Sequence, residues 1–262
     1  MNGVIQEFPA TEFTPAYKLI DEKTPSIAVV IPTFNSARYL AEAILSIKPQ
    51  IGYGDVWILD GDSEDGTFLL CEGQGLGGRE FIIEEVHPCD RIDHWIRDHG
   101  DEYDYLAIQH SDDIACPDRI ANQLKAFELE PELACVSGAF LPFWHDISTM
   151  KFHQDPVERP PCLHDEICAH LPNHWVMHAP TRMFDIRKLM ASGVKFRNRY
   201  DYANDWWMSV EMVRAGLRLG NCPQILQAYR RHGDSDGPRN LAAVNAEQAD
   251  IRARIAREGI FP

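Results

Sequence analysis

The chain is poor in cations. Its 262 residues carry 25 Lys and Arg against 40 Asp and Glu, a formal charge of −15. Nucleic-acid binding needs basic side chains to neutralise phosphates, so no nucleic-acid partner is expected. No apolar run reaches the roughly 18 residues of a membrane-spanning helix. Spanning is therefore not expected, though contact with a membrane surface is compatible with the sequence. Residues 1–12 show neither a basic start nor an apolar stretch, which argues against a signal peptide. The seven cysteines are odd in number and follow no disulfide framework. That pattern fits a reducing compartment, and a cytoplasmic location is the expectation. There is no internal repeat or low-complexity tract.

What is present is enough apolar material for a core, 45% of residues, arranged in alternating strand and helix signals. Ile27–Ile31, Val56–Leu59, Phe81–Val86 and Tyr105–Ile108 are apolar runs with the character of buried parallel strands, the first closed by Pro32. Asn35 can cap a helix with Leu40, Ile44 and Ile47 on one face, and Pro117 suits the first turn of another carrying Ile120, Leu124 and Phe127. This alternation predicts an α/β fold with a mostly parallel sheet covered on both faces. Ligands of such sheets bind beyond the carboxyl ends of the strands, so the loops at 32–36, 60–67 and 109–114 are expected to share one edge. Residues 142–180, rich in Pro, His, Trp and Cys, read as a long loop. Asp205–Arg214 reads as a helix stopped by Gly216, and Leu241–Arg257 as a terminal helix.

Four segments carry candidate chemistry. Val30-Ile31-Pro32-Thr33-Phe34-Asn35 leaves a strand for a helix N-terminus, where free N–H groups favour anions; it also fits a plain strand–turn–helix. Asp60 to Thr67 (DGDSEDGT) places carboxylates after a strand, able to receive a base N–H or ribose hydroxyls, or simply to form an Asx-rich turn. Gln109-His110-Ser111-Asp112-Asp113 crowds two acids at a strand end. Either solvent or a hard divalent cation relieves that crowding. Asn204-Asp205 opens a helix, where an acid can serve as a base or merely favour the helix dipole.

Taken in order, these segments resemble glycosyltransferase family 2, inverting enzymes with the A-type glycosyltransferase fold. The family pattern runs from a VVIPTYN-like strand through a DDGSTDGT-like turn and a DxDD or xSDD metal motif to ED at a helix start, often followed by Arg-x-His. This sequence offers VVIPTFN at 29–35, DGDSEDGT at 60–67, HSDD at 110–113, ND at 204–205 and RRH at 230–232. The resemblance covers roughly residues 26–235. It implies a single glycosyltransferase domain: a nucleotide-sugar half at 26–140, an acceptor and catalytic half at 141–235, and a C-terminal helix at 236–262.

The implied roles follow residue by residue. Pro32, Thr33, Asn35, Asp60, Asp62 and Asp112 would line the nucleotide pocket. Asp112, Asp113 and His232 would hold Mn²⁺ or Mg²⁺ against the diphosphate. Asp205 would be the catalytic base. The donor would be a nucleotide-diphosphate sugar, by family habit a uridine one, and the acceptor a saccharide or other hydroxyl compound. The sequence departs from the pattern at His110, at Gly61 and Asp62, and at Asn204. It lacks the Gln-x-x-Arg-Trp motif of processive synthases, so single-sugar transfer is expected.

Three features lie outside this scheme. Gly73, Gly75 and Gly78 match G-x-G-x-x-G, but a strand follows instead of a helix, which argues against dinucleotide binding. Cys162, His164, Cys168, His170, His174 and His178 could supply zinc ligands, though their spacing matches no closed site. Trp206 or Trp207 could offer a platform to a sugar face, or both could be core. Two rival functions share an α/β core: a sugar nucleotidyltransferase, which would want a basic Gly-rich loop near the first strand, and a non-catalytic nucleotide-sugar-binding relative.

Overall fold

The computed structural model describes residues 25–52, 54–73, 81–83, 85–146, 151–233 and 239–261. Strand β1 (Ile27–Thr33) is central, paired in parallel with β2 (Asp55–Asp60) on one side and β4 (Tyr105–Ile108) on the other. β3 (Phe81–Ile83) extends the parallel edge beyond β2. The β-branched run of β1 is explained by its burial on both faces. Ala28 and Val30 pack on one side with Trp95 and Trp206, while Ile27, Val29 and Ile31 pack on the other with Leu40, Ile44 and Ile47 of α1 (Leu40–Ile47).

Beyond β4 the sheet changes character. The strand order is β3-β2-β1-β4-β8-β6-β9-β5, where β5 is Ile114–Ala115, β6 Leu133–Asp146, β8 Met183–Asp185 and β9 Arg218–Arg230. β8 runs antiparallel to both β4 and β6, β6 and β9 are parallel, and β5 is antiparallel to β9. The sheet is therefore mixed, not mostly parallel, because β8 reverses direction between two parallel groups. The segment at 142–180 is not one long loop. It holds the end of β6, the hairpin strand β7 (Lys151–Gln154) and, after α2 (Thr67–Gly73), α3 (Pro88–His99) and α4 (Arg119–Leu129), helix α5 (His164–His170). β6 also runs unbroken through residues 140–141, so the two halves read from the sequence share a strand.

α6 (Ile186–Ser192) and α7 (Asn204–Arg214) follow, the latter ending as expected before Gly216 at φ +78°. The terminal helix α8 spans Leu241–Glu258. Helix α1 starts four residues later than an Asn35 cap would place it, its N-cap being Tyr39. Asn35 sits at φ +48°, and Ser36 O accepts the N–H groups of Tyr39 and Leu40 in an intervening turn. Pro117 likewise lies outside α4, whose N-cap is Asp118. The glycines Gly75 and Gly78 lie outside the described residues. No helix among the described residues is long and apolar enough to cross a membrane.

Candidate active site

The loops after β1, β2 and β4 meet at the carboxyl edge of the sheet, and they are tied to one another by hydrogen bonds. Thr33 Oγ1 and Ser63 Oγ both donate to Asp60 Oδ1 at 2.6 Å, and Ser63 N donates to Asp60 Oδ2 at 2.7 Å. Asn35 N donates to Ser63 Oγ, and Asn35 Oδ1 accepts from Glu64 N. Ala37 N donates to Asp65 Oδ2. Ser36 Oγ lies 2.8 Å from Ser111 Oγ, joining the first loop to the acidic loop after β4. Thr33 and Asp60 are buried, so three of the roughly four acceptor positions of the Asp60 carboxylate are spent inside the protein. Asn35 and Asp62 are exposed at the mouth, and Pro32 is half-buried beneath them.

The departures at Gly61 and Asp62 have a steric cause. A Cβ on Gly61 would lie 2.1 Å from Arg91 Nη1 and 3.2 Å from Phe34 Cδ2. Arg91, buried on α3, thus reaches under the turn only because position 61 has no side chain. The left-handed conformation falls on Asp62, at φ +66°, which short polar residues tolerate better than most. Nothing in the spacing of α3 singles out Arg91. Gly61 is its one trace in the sequence, the mark of a close approach.

The acidic loop is held from behind by a buried cation. Arg119, fully enclosed on α4, donates to Gln109 Oε1 at 2.7 Å, Gln227 Oε1 at 3.0 Å, Ile108 O at 2.6 Å and Gln123 Oε1 at 3.2 Å. Burial pulls its guanidinium down to about 10, which leaves it charged at neutral pH. Gln109 Nε2 in turn donates to the carbonyls of His110 and Asp113. Asp113 is 0% exposed; its Oδ1 accepts from Arg230 N and its Oδ2 from Gln227 Nε2, each at 2.8 Å. Burial, and then the charge of Asp112, raise its carboxyl well above the usual range.

Asp112 behaves oppositely. Burial alone would raise it, but the hydrogen bond from His232 and the charges of His110 and His232 outweigh that and hold it low. His232 Nε2 donates to Asp112 Oδ2 at 2.8 Å, and His232 Nδ1 is buried with no partner among the described residues. Arg230 Nε donates to Asp112 O, and its guanidinium also pairs with Glu42 and lies 4.5 Å from the Tyr39 ring. Ligand atoms of His110, Asp112 and Asp113 lie within 4.8 Å of one another. A set of carboxylate and imidazole donors at a strand end fits Mn²⁺ or Mg²⁺, with the imidazoles favouring Mn²⁺. His110 thus joins the cluster in the place where the family pattern has an acid.

Asp205, in the first turn of α7, is partly exposed. Burial raises its carboxyl above the ordinary range, against the opposing pull of Arg182 and of Trp206 N, which donates to Oδ1 at 2.7 Å. Arg182 was not apparent from sequence. Its Nη2 donates to Asp205 O at 2.7 Å, to Ser209 Oγ and to Met177 O, fixing the start of α7 against the preceding loop. Trp206 and Trp207 are core residues, 1% and 3% exposed, so neither offers a platform. The Cys/His segment does not converge on a metal site among the described residues. His164 Nδ1 accepts from Leu219 N, His170 Nδ1 donates to its own helix at Glu166 O, and His178 stacks elsewhere.

No protein-family model matches the chain. In sequence it is 26% identical over 247 residues to an uncharacterized glycosyltransferase of Haemophilus influenzae, spanning 91% of this chain and 74% of that protein. In structure it resembles a mannosyltransferase from Pyrobaculum calidifontis solved with GDP-Man and Mn²⁺, at a TM-score of 0.63, 17% identity, and coverage of 91% of this chain and 66% of that one. It also resembles Staphylococcus aureus TarS residues 1–349 (TM-score 0.59, 15% identity, 86% and 65% coverage). A third likeness is to Mycobacterium tuberculosis glucosyl-3-phosphoglycerate synthase solved with Mn²⁺, UDP and glucosyl-3-phosphoglycerate (TM-score 0.58, 15% identity, 91% and 81% coverage). The chain spans slightly under two thirds of the TarS and mannosyltransferase chains. The fold is the A-type glycosyltransferase fold.

Proposed function

We propose that this protein is an inverting, metal-assisted glycosyltransferase that moves one sugar from a nucleoside-diphosphate sugar to an acceptor hydroxyl. The observation that carries the reading is the pairing of His232 with Asp112 beside His110 and Asp113, at the mouth formed by the β1 and β2 loops. The nucleotide lies against Pro32, Asn35 and Asp62, with Thr33 and Asp60 shaping the turn that receives it. Asp112, His232 and His110 would hold the cation, and buried Asp113, its oxygens taken by Arg230 N and Gln227 Nε2, fixes the loop. When bound, the cation acts as a Lewis acid for the charge gathering on the departing diphosphate.

Asp205 takes the proton of the acceptor hydroxyl as that oxygen attacks the anomeric carbon. A carboxyl raised by burial is the better base, since its carboxylate gains more from accepting a proton. Attack opposite the leaving group passes through an oxocarbenium-like state and inverts the centre. The similar proteins were solved with UDP or GDP sugars or their products, which supports a donor of that class. Free thiols at six described cysteines suit action in the cytoplasm.

The test is calorimetric titration of the purified protein with UDP and GDP, with and without Mn²⁺. Metal-dependent binding of one nucleotide is expected and names the donor class. Absence of binding with metal present removes the transferase reading.

A further inference from the structure

A group of aromatic side chains beside the acidic loop takes no part in the roles above. His178 is 5% exposed, and its Nε2 is buried without a hydrogen-bond partner among the described residues. Its ring stacks on Phe140 of β6, with centroids 3.6 Å apart and planes at 9°. Tyr229 of β9 meets it edge-on at 5.2 Å, and Trp175 lies at 5.8 Å. A buried nitrogen with no partner is costly, so its persistence calls for a group that completes it. Burial, with neighbouring His110, Arg182 and Arg119 adding to it, keeps the imidazole neutral. A neutral imidazole suits a hydroxyl, not an anion.

Trp175 is the open side of the group. It is 48% exposed, yet its indole is pinned, because Nε1 donates to Met177 O at 2.6 Å. That bond holds a large aromatic face toward solvent in a fixed orientation, ready to pack on a ligand. An indole face beside a hydroxyl partner matches a pyranose, whose C–H face is apolar and whose rim is hydroxyls. The position also suits the acceptor. Arg182 Nη2 bonds both Met177 O and Asp205 O, so the Trp175–His178 segment is fastened to the first turn of the helix bearing the base. On the other side, Tyr229 is close enough to Asp113 and Asp112 for their charges to raise its hydroxyl, after burial, to about 12.

We propose that Trp175, His178 and Tyr229 form the subsite for a pyranose acceptor, the indole packing on the sugar's C–H face and His178 Nε2, closed over in this structure, opening to bond one of its hydroxyls. This narrows the acceptor from any hydroxyl compound to a saccharide, and it rests on the transferase reading above. Phe140 holds the His178 ring in orientation by stacking on it.

The test uses saturation-transfer NMR on the full chain with Mn²⁺ and whichever of UDP or GDP binds. The probes are methyl β-glucopyranoside, methyl β-galactopyranoside and methyl N-acetyl-β-glucosaminide. At least one is expected to receive saturation at its ring protons. Its dissociation constant is expected to rise roughly 5-fold in Trp175→Ala and roughly 5-fold in His178→Phe, which keeps the stack on Phe140 but cannot bond a hydroxyl. Nucleotide affinity, unchanged in both variants, shows that they are folded. An unchanged glycoside constant in either variant overturns the subsite, as does absence of saturation transfer from wild-type protein that binds nucleotide. Failure of the wild-type protein to bind nucleotide instead overturns the transferase reading.

Discussion

His232 donates from Nε2 to Asp112 Oδ2 at 2.8 Å, joining the chain just past β9 to the loop after β4 across 120 residues of sequence. The bond closes the acidic loop and leaves the second imidazole nitrogen buried with no partner among the described residues. Replacing His232 with Ala is expected to weaken Mn²⁺ affinity by at least about tenfold, the usual scale for losing a metal-site partner. Calorimetry with Mn²⁺ checks it, and an unchanged affinity excludes His232 from the site.

Asp205→Asn keeps the shape of the α7 terminus but cannot accept a proton. Transfer is expected to fall by about 10²–10⁴-fold with donor affinity unchanged. Near-normal turnover in this variant would remove Asp205 as the base.

The pH profile follows from the same residue. As the proposed base Asp205 must be a carboxylate to act, and burial raises its pKa. Activity is therefore present above that pKa and lost as pH falls through it. The acid limb of kcat/KM is expected above the ordinary carboxylate value of about 4. A limb at or below that value contradicts the burial seen at the site.

Gly61→Ala places a methyl group 2.1 Å from Arg91 Nη1, so the guanidinium or the turn must move. A stability loss of about 1–3 kcal/mol is expected, as for other insertions into a filled space. Asp62→Gly, which relieves a left-handed φ while adding chain entropy, is expected to change stability by less than about 1 kcal/mol. Urea denaturation of the two variants compares them directly.

Arg119→Met removes the buried cation that four hydrogen-bonding groups and the charge of Asp113 share. Breaking such a network on one side costs about 3–5 kcal/mol. Chemical denaturation is expected to show a loss of that size. A loss under about 1 kcal/mol would mean that the loop does not depend on Arg119.

The strands at 27–31, 56–59 and 105–108 were legible because parallel strands buried on both faces must be apolar throughout. β6, β8 and β9 were not. β9 carries Asn221, Gln227 and Arg230 as buried residues, and partners elsewhere in the chain meet donors and acceptors among them: Pro161 O and Val176 O for Asn221 Nδ2, Arg119 and Asp113 for Gln227. Asn35 looks like a helix cap in sequence, but its φ of +48° and its bond to Glu64 N assign it to the joint between two loops.

The order of short motifs determined from sequence the class of fold and the edge of the sheet where the acids gather, because the motifs at 29–35, 60–67 and 110–113 each follow an apolar strand and so lie at its carboxyl end. Only tertiary structure decided what each acid does. Asp112 and Asp113 are neighbours of identical chemistry. One is held low by an imidazole 120 residues away, while the other is driven high by full burial and the charge of Asp112, against the hydrogen bonds from Arg230 and Gln227. The physical reason is that a carboxyl's ionisation depends on its distance from water and from other charges, and those distances are set by β9 folding back beside β6. The same holds for His178: its residue type is visible in the sequence, but the buried, partnerless state of its Nε2 exists only once Phe140, Trp175 and Tyr229 have closed around it.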